Sequence, residues 1–291
     1  MIELRVAETD EEVELWRDVR RALLPNERAA SVAELRSGGS FMLLAFRDSE
    51  LAGSGSAAKS DLGGGSIFPR VLPEHRRNGI GTMLLQRLAS HAEAAGYDTV
   101  GSMVEDAGAL AFAQRFGFAE TGRQVEQVRA VATDEPWPAL PDGIEIVTAA
   151  ERPGLIRQLY DELALQAFED MPTPSKVEIT PAEWESEWVT WPEATFAALA
   201  GGDIVGMAGL VQDADQPGRA ENALTAVRRD WRGRGVARAL KETTTAWASR
   251  HGIREIYTWT QTGNENMRAV NERLGYVTRD ISISVRRELP L

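Results

Sequence analysis

Two short turns in this chain combine arginine with glycine in a way that suits phosphate binding. Each follows the pattern Arg-x-x-Gly-x-Gly/Ala, begins five residues after a valine that ends a predicted strand, and leads into a predicted amphipathic helix. Such a turn directs backbone N–H groups at one point, and the helix start and the arginines add positive charge there. The candidate residues are Arg76, Arg77, Gly79, Ile80 and Gly81 in the first turn, and Val227, Arg232, Gly233, Arg234, Gly235, Val236 and Ala237 in the second. The alternative is a glycine-rich turn without a ligand, and its recurrence about 150 residues later in a matched context argues against that alternative.

Neither turn is one of the common phosphate loops, because both lack the Gly-Lys-Ser/Thr ending of a P-loop and the Gly-x-Gly-x-x-Gly spacing. Both resemble the loop that binds the acetyl-CoA pyrophosphate in the GNAT acyltransferases. A second GNAT run, Asn-x-x-Ala-x-x-Leu-Tyr-x-x-x-Gly-Phe, resembles residues 264–276, where Asn264 is expected to contact the cofactor. The first copy keeps the ending of this run in Arg115-Phe116-Gly117-Phe118 but has Asp106 and Ala107 where the asparagine would lie.

The resemblance covers nearly the whole chain as two GNAT-like units. It implies an α/β protein of two tandem domains, each with a mixed, mostly antiparallel sheet flanked by helices. Three prolines and a glycine between residues 133 and 143 predict a linker, since they cannot continue a helix or a central strand. We therefore expect domains at 1–132 and 144–291. On each side of the linker the predicted order repeats as strand, helix and two strands joined by a turn.

Composition limits the classes of function. The chain has 291 residues, no cysteine, three scattered histidines and a formal net charge of −12. These features predict no disulfide, no cysteine nucleophile and no metal site, and they argue against binding of nucleic acid or of an anionic membrane. The start of the chain lacks the pattern of a signal peptide, and its longest apolar stretch is interrupted, so we expect a cytoplasmic protein.

The two halves differ at the positions where GNAT enzymes carry their acid and base. The resemblance places the base six residues before the strand-ending valine, which is Glu221 in the second half and Gly65 in the first. The usual acid is a tyrosine, and the matching residues are Asn271 and Ala113. Neither can donate a proton as a phenol does, although Asn271 could hydrogen-bond the sulfur or the pantetheine. We therefore expect catalysis in the second half, with Glu221 and Asn271 as its catalytic candidates.

The identity of the acid stays open at this point, with water, Tyr257 and Tyr160 as further candidates. Glu221 could also be a solvated charge. The first half keeps a good pyrophosphate turn and is expected to bind acetyl-CoA without turnover or to serve as a scaffold beside the substrate cleft.

The acceptor is expected to be a small cationic primary amine. The stretch from Asp161 to Glu193 carries nine carboxylates against one lysine, together with three tryptophans. Carboxylates attract an ammonium group, and indole faces hold it by cation–π contact. The predicted substrate residues are Trp184, Trp188 and Glu185. The alternative is a helix with a solvated acidic face and tryptophans packed inward.

Two other functions are compatible with the sequence. A non-catalytic acyl-CoA-binding or sensor protein is favoured by the missing tyrosine. A tandem enzyme resembling mycothiol synthase agrees in length and layout, but the asparagine at position 271 counts against it. The sequence predicts neither the identity of the acceptor within this class nor the oligomeric state.

Overall fold

The structure is a computed structural model that describes residues 1–26, 30–152, 154–172, 176–213 and 216–291. The chain forms two compact units. Unit 1 comprises Met1–Gly122 and Ser282–Leu291, and unit 2 comprises Arg123–Ile281.

Six strands repeat in the same order in the two halves of the chain, with two helices between the first two strands of the first half and three in the second. The first half contains β1 (Ile2–Val6), α1 (Asp10–Leu23), α2 (Val32–Ser37), β2 (Phe41–Arg47), β3 (Glu50–Lys59), β4 (Gly65–Val71), α3 (Ile80–Ala94), β5 (Thr99–Val104), α4 (Ala107–Arg115) and β6 (Ala119–Ala130). The second half contains β7 (Ile144–Thr148), α5 (Leu155–Leu159), α6 (Leu165–Glu169), α7 (Pro181–Glu183), β8 (Thr195–Ala200), β9 (Asp203–Gln212), β10 (Arg219–Val227), α8 (Val236–Arg250), β11 (Glu255–Gln261), α9 (Glu265–Arg273) and β12 (Val277–Glu288). A π-helical turn joins α5 to α6, and another follows α7.

Each unit contains one mixed, mostly antiparallel sheet, which confirms the expected fold class. The strand order is β1-β2-β3-β4-β5-β12 in unit 1 and β7-β8-β9-β10-β11-β6 in unit 2. The parallel neighbours are β4 with β5 and β10 with β11. Parallel neighbours need a long crossover connection, and α3 and α8 provide it.

The units divide the chain differently from the continuous ranges 1–132 and 144–291 expected from the sequence. The end of β12 pairs with β5, which places the last ten residues in unit 1. Likewise β6 pairs with β11, which places the residues from Arg123 onwards in unit 2. Each sheet is thus completed by a strand from the other half of the chain, a pairing that local sequence patterns do not encode.

The helices that follow the arginine-glycine turns are fixed by apolar residues at turn spacing. In α3, Leu84 and Leu88 are fully buried in the core of unit 1. In α8, Val236 and Leu240 are equally buried in the core of unit 2. Burial of this stripe anchors each helix against its sheet, while the glycines before the helices, Gly79 and Gly235, are exposed.

Candidate active site

The arginine that opens each turn makes the same hydrogen bond in both units. Arg76 Nε donates to the carbonyl oxygen of Val71 at 3.1 Å, and Arg232 Nε donates to that of Val227 at 3.0 Å. The bond holds the guanidinium against the last residue of the strand that precedes the turn. The second arginine of unit 2 differs in its contact, because the guanidinium of Arg234 lies over the Trp231 ring, 4.6 Å from the ring centre.

The glycines of the turns occupy left-handed backbone conformations. Gly79 and Gly235 precede the first residue of their helices with φ of +85° and +81°. Two residues earlier, φ is +64° at Arg77 and +75° at Gly233. A residue with a Cβ atom pays roughly 1–2 kcal/mol for this conformation, so Arg77 is strained where Gly233 is not. The predicted spacing of glycine therefore reflects a backbone requirement.

Both helix starts fit an anionic ligand. Neither Gly79 nor Gly235 is followed by an acidic residue in the first turn, and neither helix has a side-chain cap. A Cβ atom at Gly79 would meet no heavy atom within 4 Å, and one at Gly235 would meet only Pro141 at 3.7 Å. The first N–H groups of a helix have no intrahelical acceptor, so the N–H groups around Ile80, Gly81, Val236 and Ala237 can donate to a ligand. They would hold the pyrophosphate of acetyl-CoA, which supplies an activated acetyl thioester.

The charges around the two turns differ. Asp170 at the end of α6 accepts hydrogen bonds from Arg229, at 2.5 Å from Nη2, and from Arg232. Its bond to Arg229 and, after that, its bond to Arg232 hold the pKa of Asp170 below its usual value. Within the described ranges, Arg76 and Arg77 have no carboxylate within 4.0 Å. The turn in unit 1 thus presents uncompensated positive charge, whereas the turn in unit 2 is partly neutralised.

The parallel strands next to each turn pair only at their beginnings. In unit 2 the parallel register covers Arg219–Glu221 of β10 and Glu255–Tyr257 of β11. Beyond it, Thr258 Oγ1 donates to the carbonyl oxygen of Asn222 at 2.9 Å. The register of β10 with β9 shifts between Asn222 and Leu224, which marks a β-bulge. In unit 1 the corresponding parallel register covers only two residue pairs, so a cleft opens between the two parallel strands of each unit.

A proline distinguishes the cleft edge of unit 1. Pro69 on β4 lies opposite Gly55 of β3 in an unbroken antiparallel register. Because proline has no N–H to donate, it fits a strand position that makes no ladder bond to β3, so its nitrogen faces the β5 side. The equivalent residue of unit 2, two positions before the strand-ending valine, is Thr225. Unit 2 therefore keeps a backbone donor that unit 1 lacks.

Unit 1 contains a cavity of about 90 Å³ within its cleft. The cavity lies between β4, β5 and α4, and Leu85 of α3 and Val285 of β12 complete its wall. Its lining is mostly apolar and includes Ala113 and Phe118. This lining suits the aliphatic part of a pantetheine chain better than it suits acid–base chemistry.

Glu221 lies where β10 and β11 begin to separate. It forms the last parallel pair with Tyr257, and the hydroxyl of Tyr257 donates to Glu221 Oε2 over 3.4 Å. Glu221 is partly exposed and Tyr257 is buried. Gly65, the corresponding residue of unit 1, is packed against the ring of Tyr97, so that a Cβ atom there would lie 2.9 Å from it. Of the two clefts, only that of unit 2 has a carboxylate at this position.

The asparagines predicted on α9 are both hydrogen-bonded within unit 2. Asn264 caps the helix by accepting from the N–H of Met267 at 3.3 Å. Asn271 is fully buried, and its Nδ2 donates to Gln127 Oε1 at 2.9 Å. Asn271 thus lies inside the unit, at the position of Ala113 in the cavity wall of unit 1.

The predicted acceptor residues do not form one exposed surface. Trp184 is fully buried and donates from Nε1 to the carbonyl oxygen of Ile156 at 3.0 Å. Trp188 is half-buried, 6.3 Å from the Trp184 ring, and Glu185 is exposed. Tyr160, one alternative acid, donates its hydroxyl proton to Ile179 O at 2.5 Å. Trp184 therefore belongs to the core, and only Trp188 and Glu185 have surface available for an acceptor.

The described part of the chain shows neither a metal-binding cluster nor a membrane-spanning helix. It contains no cluster of three or more histidine, cysteine, aspartate or glutamate side chains arranged to hold a metal ion. None of its helices combines the length and apolarity needed to cross a membrane.

The comparisons with known proteins agree with the duplicated architecture. A sequence model described as "Acetyltransferase (GNAT) family" matches residues 3–118 and 156–276. A mycothiol acetyltransferase from Saccharomonospora viridis is 25% identical over 224 residues, which cover 73% of this chain and 71% of that protein.

Solved structures also share this fold. A GCN5-related N-acetyltransferase from Sphaerobacter thermophilus superposes with a TM-score of 0.79 at 23% identity, covering 99% of this chain and 95% of that one. A tandem GNAT protein from the clavulanic acid biosynthesis pathway gives 0.80 at 20% identity and covers both chains fully. Because the two family matches cover most of the chain, the protein belongs to the GNAT acetyltransferase family as a tandem member.

Proposed function

We propose that unit 2 transfers an acetyl group from acetyl-CoA to a small cationic primary amine. The observation that carries the proposal is the position of Glu221, on the strand that leads into the second arginine-glycine turn and at the point where β10 and β11 separate. A base at this point can accept a proton from an amine that enters the cleft. A positioned general base contributes roughly 10²–10⁴-fold to such a reaction.

The other parts of unit 2 support binding and polarisation of the thioester. The turn around Arg232, Arg234 and Gly235 would hold the pyrophosphate. The N–H of Thr225 is a candidate donor to the thioester oxygen. Its counterpart in unit 1, Pro69, has no N–H. Unit 1 has the turn and an apolar cavity but lacks both the carboxylate and this donor. We therefore assign unit 1 the binding of acetyl-CoA without turnover.

The acceptor class follows from charge. Glu185 and neighbouring exposed carboxylates would draw an ammonium group towards unit 2, and the half-buried face of Trp188 would contact it. A mycothiol-synthase-like enzyme is a second candidate, favoured by the 25% identical mycothiol acetyltransferase. A screen of acceptor amines tests the first candidate.

The screen measures release of free CoA from acetyl-CoA in the presence of polyamines, aminosugars, aminoglycosides and peptide N-termini. The proposal predicts that the best acceptor is cationic and that its KM rises with ionic strength, because salt screens the attraction. A neutral or anionic best acceptor with a salt-independent KM would contradict the acceptor class. Binding of acetyl-CoA without release of CoA for any acceptor would favour the sensor alternative.

A further inference from the structure

Polar side chains in unit 2 replace the apolar wall of the cavity in unit 1. Leu85 and Lys241 both lie six residues after the glycine that precedes their helix, and Phe118 and Tyr276 both end the Arg-x-Gly-aromatic run. Val285 pairs with the fourth residue of β5, and Gln127 pairs with the fourth residue of β11. The replacements are Leu85 by Lys241, Ala113 by Asn271, Val285 by Gln127 and Phe118 by Tyr276. We call the four polar residues the cleft cluster.

Lys241 is the charged member of the cleft cluster. Its side chain is 1% exposed, and its Nζ donates a hydrogen bond to Asn222 Oδ1. Nζ also lies 5.2 Å from the centre of the Tyr276 ring. Among the residues described, no carboxylate lies within 4.0 Å of it, and burial lowers the pKa of Lys241 to about 7. A cation in such a position lacks the partner that buried charges normally require.

The other members of the cleft cluster leave polar atoms unused. Within the described structure, Asn271 Oδ1, Gln127 Nε2 and Tyr276 Oη are buried and have no hydrogen-bond partner. Buried polar groups are nearly always satisfied, so atoms without partners point to a ligand or ordered water among them. Beyond the hydrogen bonds that its members make with one another, the cleft cluster can therefore bind an additional polar or anionic group.

The cleft cluster borders the point where the strands of unit 2 separate. Asn222, the partner of Lys241, directly follows Glu221 on β10, and Thr225 Oγ1 also donates to Asn222 Oδ1 at 3.0 Å. The carbonyl of Asn222 accepts from Thr258 of β11. Lys241 thus lies beneath the segment that, under the proposed function, contacts the thioester.

We propose that Lys241 is a catalytic acid that donates a proton to the leaving sulfur of CoA. This inference rests on the proposed function of unit 2. The acceptor nitrogen forms a bond to the thioester carbon and the carbon–sulfur bond breaks, with its electron pair on the sulfur. The nitrogen loses a proton to Glu221, the sulfur gains one from the ammonium of Lys241, and solvent restores both groups. The products are the N-acetylated amine and CoA with a free thiol.

Lys241 suits this role better than Tyr276 does. Burial raises the pKa of Tyr276, which makes its phenol a weaker acid at neutral pH, whereas an acid works best when its pKa lies near the operating pH. Arg129 is a further charged group that borders the cleft cluster, and it donates to Thr245 of α8 at 3.3 Å. Arginine does not release its proton at neutral pH. Lys241 is thus the group whose proton is available.

The test measures the ionisation of the CoA thiol in the bound state. An ammonium beside the sulfur stabilises the thiolate and lowers the thiol pKa below the value of about 8.5 for an unperturbed thiol. Ultraviolet absorbance of the thiolate, taken as the difference from protein alone, follows this ionisation. The variant Gly79→Glu serves as the background, because it blocks the turn of unit 1 and confines bound CoA to unit 2.

In this background we expect a shift of the apparent pKa of the bound thiol below that of free CoA, with a several-fold larger thiolate fraction near pH 7, where Lys241 is partly protonated. Lys241→Met and Lys241→Gln should both abolish the shift, and Lys241→Gln retains a hydrogen-bond donor to Asn222 if the apolar variant does not fold. The control Arg238→Met removes one charge from an exposed position of the same helix and should keep the shift.

Two results would overturn the proposal. If CoA binds to unit 2 with the same thiol pKa in the background and in a folded Lys241 variant, Lys241 is a structural residue and the proposed function survives without it. If calorimetry shows no CoA bound to unit 2 in the background, the proposed function fails together with this assignment.

Discussion

The two units contain similar arginine-glycine turns, but the side chains that line their clefts differ. Both turns bind the strand end through an arginine and open a helix behind a glycine with positive φ. The cleft beside the turn is apolar in unit 1 and carries Glu221 and Lys241 in unit 2. A turn that holds a phosphate depends mainly on backbone geometry, so it tolerates divergence around it. Chemistry depends on a few side chains, and these differ between the units.

The comparison also separates binding strength from reactivity. Arg76 and Arg77 in unit 1 have no carboxylate partner within the described ranges, whereas Asp170 occupies Arg229 and Arg232 in unit 2. We therefore expect unit 1 to bind CoA more tightly and unit 2 to release it more readily. An enzyme gains nothing from a donor site that retains its product.

The largest expected effect is the loss of one binding site. Gly235→Glu places a bulky carboxylate in a left-handed position that faces the expected phosphate. Calorimetry should show up to two CoA per chain for the unmodified protein and one fewer for Gly235→Glu. Unchanged affinity and stoichiometry would contradict the assignment of the second turn.

The next comparison concerns the base. Glu221→Gln should lower kcat/KM by about 10²-fold or more near neutral pH, and by less at high pH, where the amine acceptor has already lost its proton. Glu145→Gln makes the same change on β7, at an exposed position of the same sheet, and should have little effect. A pH profile in Glu221→Gln that matches the unmodified protein would leave Glu221 as a surface charge.

Stability should reveal the buried lysine. The folded pKa of Lys241, about 7, lies below the unfolded value of about 10.4, so folding opposes protonation of this group. The free energy of unfolding should rise by on the order of 4 kcal/mol between pH 7 and pH 10.5, relative to Lys241→Met, in which this contribution is missing. Urea unfolding of both proteins at the two pH values measures the difference. Parallel pH dependence would show that Lys241 is not depressed in its pKa.

The smallest expected effect concerns the ion pair at the second turn. Asp170→Asn frees Arg229 and Arg232, and the loss of a partly exposed pair worth about 0.2–1 kcal/mol should raise the CoA affinity of unit 2 by roughly 1.4- to fivefold. Calorimetry in the Gly79→Glu background measures it. Asp161→Asn breaks the pair with Arg157 in the same acidic stretch and is the control. A weaker affinity in Asp170→Asn would mean that Asp170 positions the arginines for the ligand.

Local sequence patterns predicted the parts of the fold that local physics determines. The spacing of Gly79 and Gly235 predicted both turns, because a left-handed residue before a helix favours glycine. The exchange of β6 and β12 was not predictable, since strand pairing depends on contacts distant in sequence. Trp184 lies in an acidic, tryptophan-rich stretch that resembles a binding surface, but its side chain is buried. The alternative interpretation, in which the tryptophans pack inward, describes Trp184 better.

Lys241 was not predicted to be a functional residue, although its difference from the equivalent residue of the first half is visible in the sequence. The second turn was predicted to lead into an amphipathic helix, and no chemical role was predicted for Lys241 on that helix. Alignment of the two halves matches Lys241 with Leu85, which is buried. In a duplicated chain, a charged residue at a position that is apolar in the other copy is thus a sign of function.

The most direct test of the account compares turnover in two variants with the best acceptor from the screen. The measurement is the rate of CoA release by Gly235→Glu and by Gly79→Glu at saturating acetyl-CoA. We expect Gly235→Glu to lose turnover, whereas Gly79→Glu, which loses the site in unit 1, should retain most of it. Loss of turnover in Gly79→Glu with retention in Gly235→Glu would contradict the account and place the chemistry in unit 1.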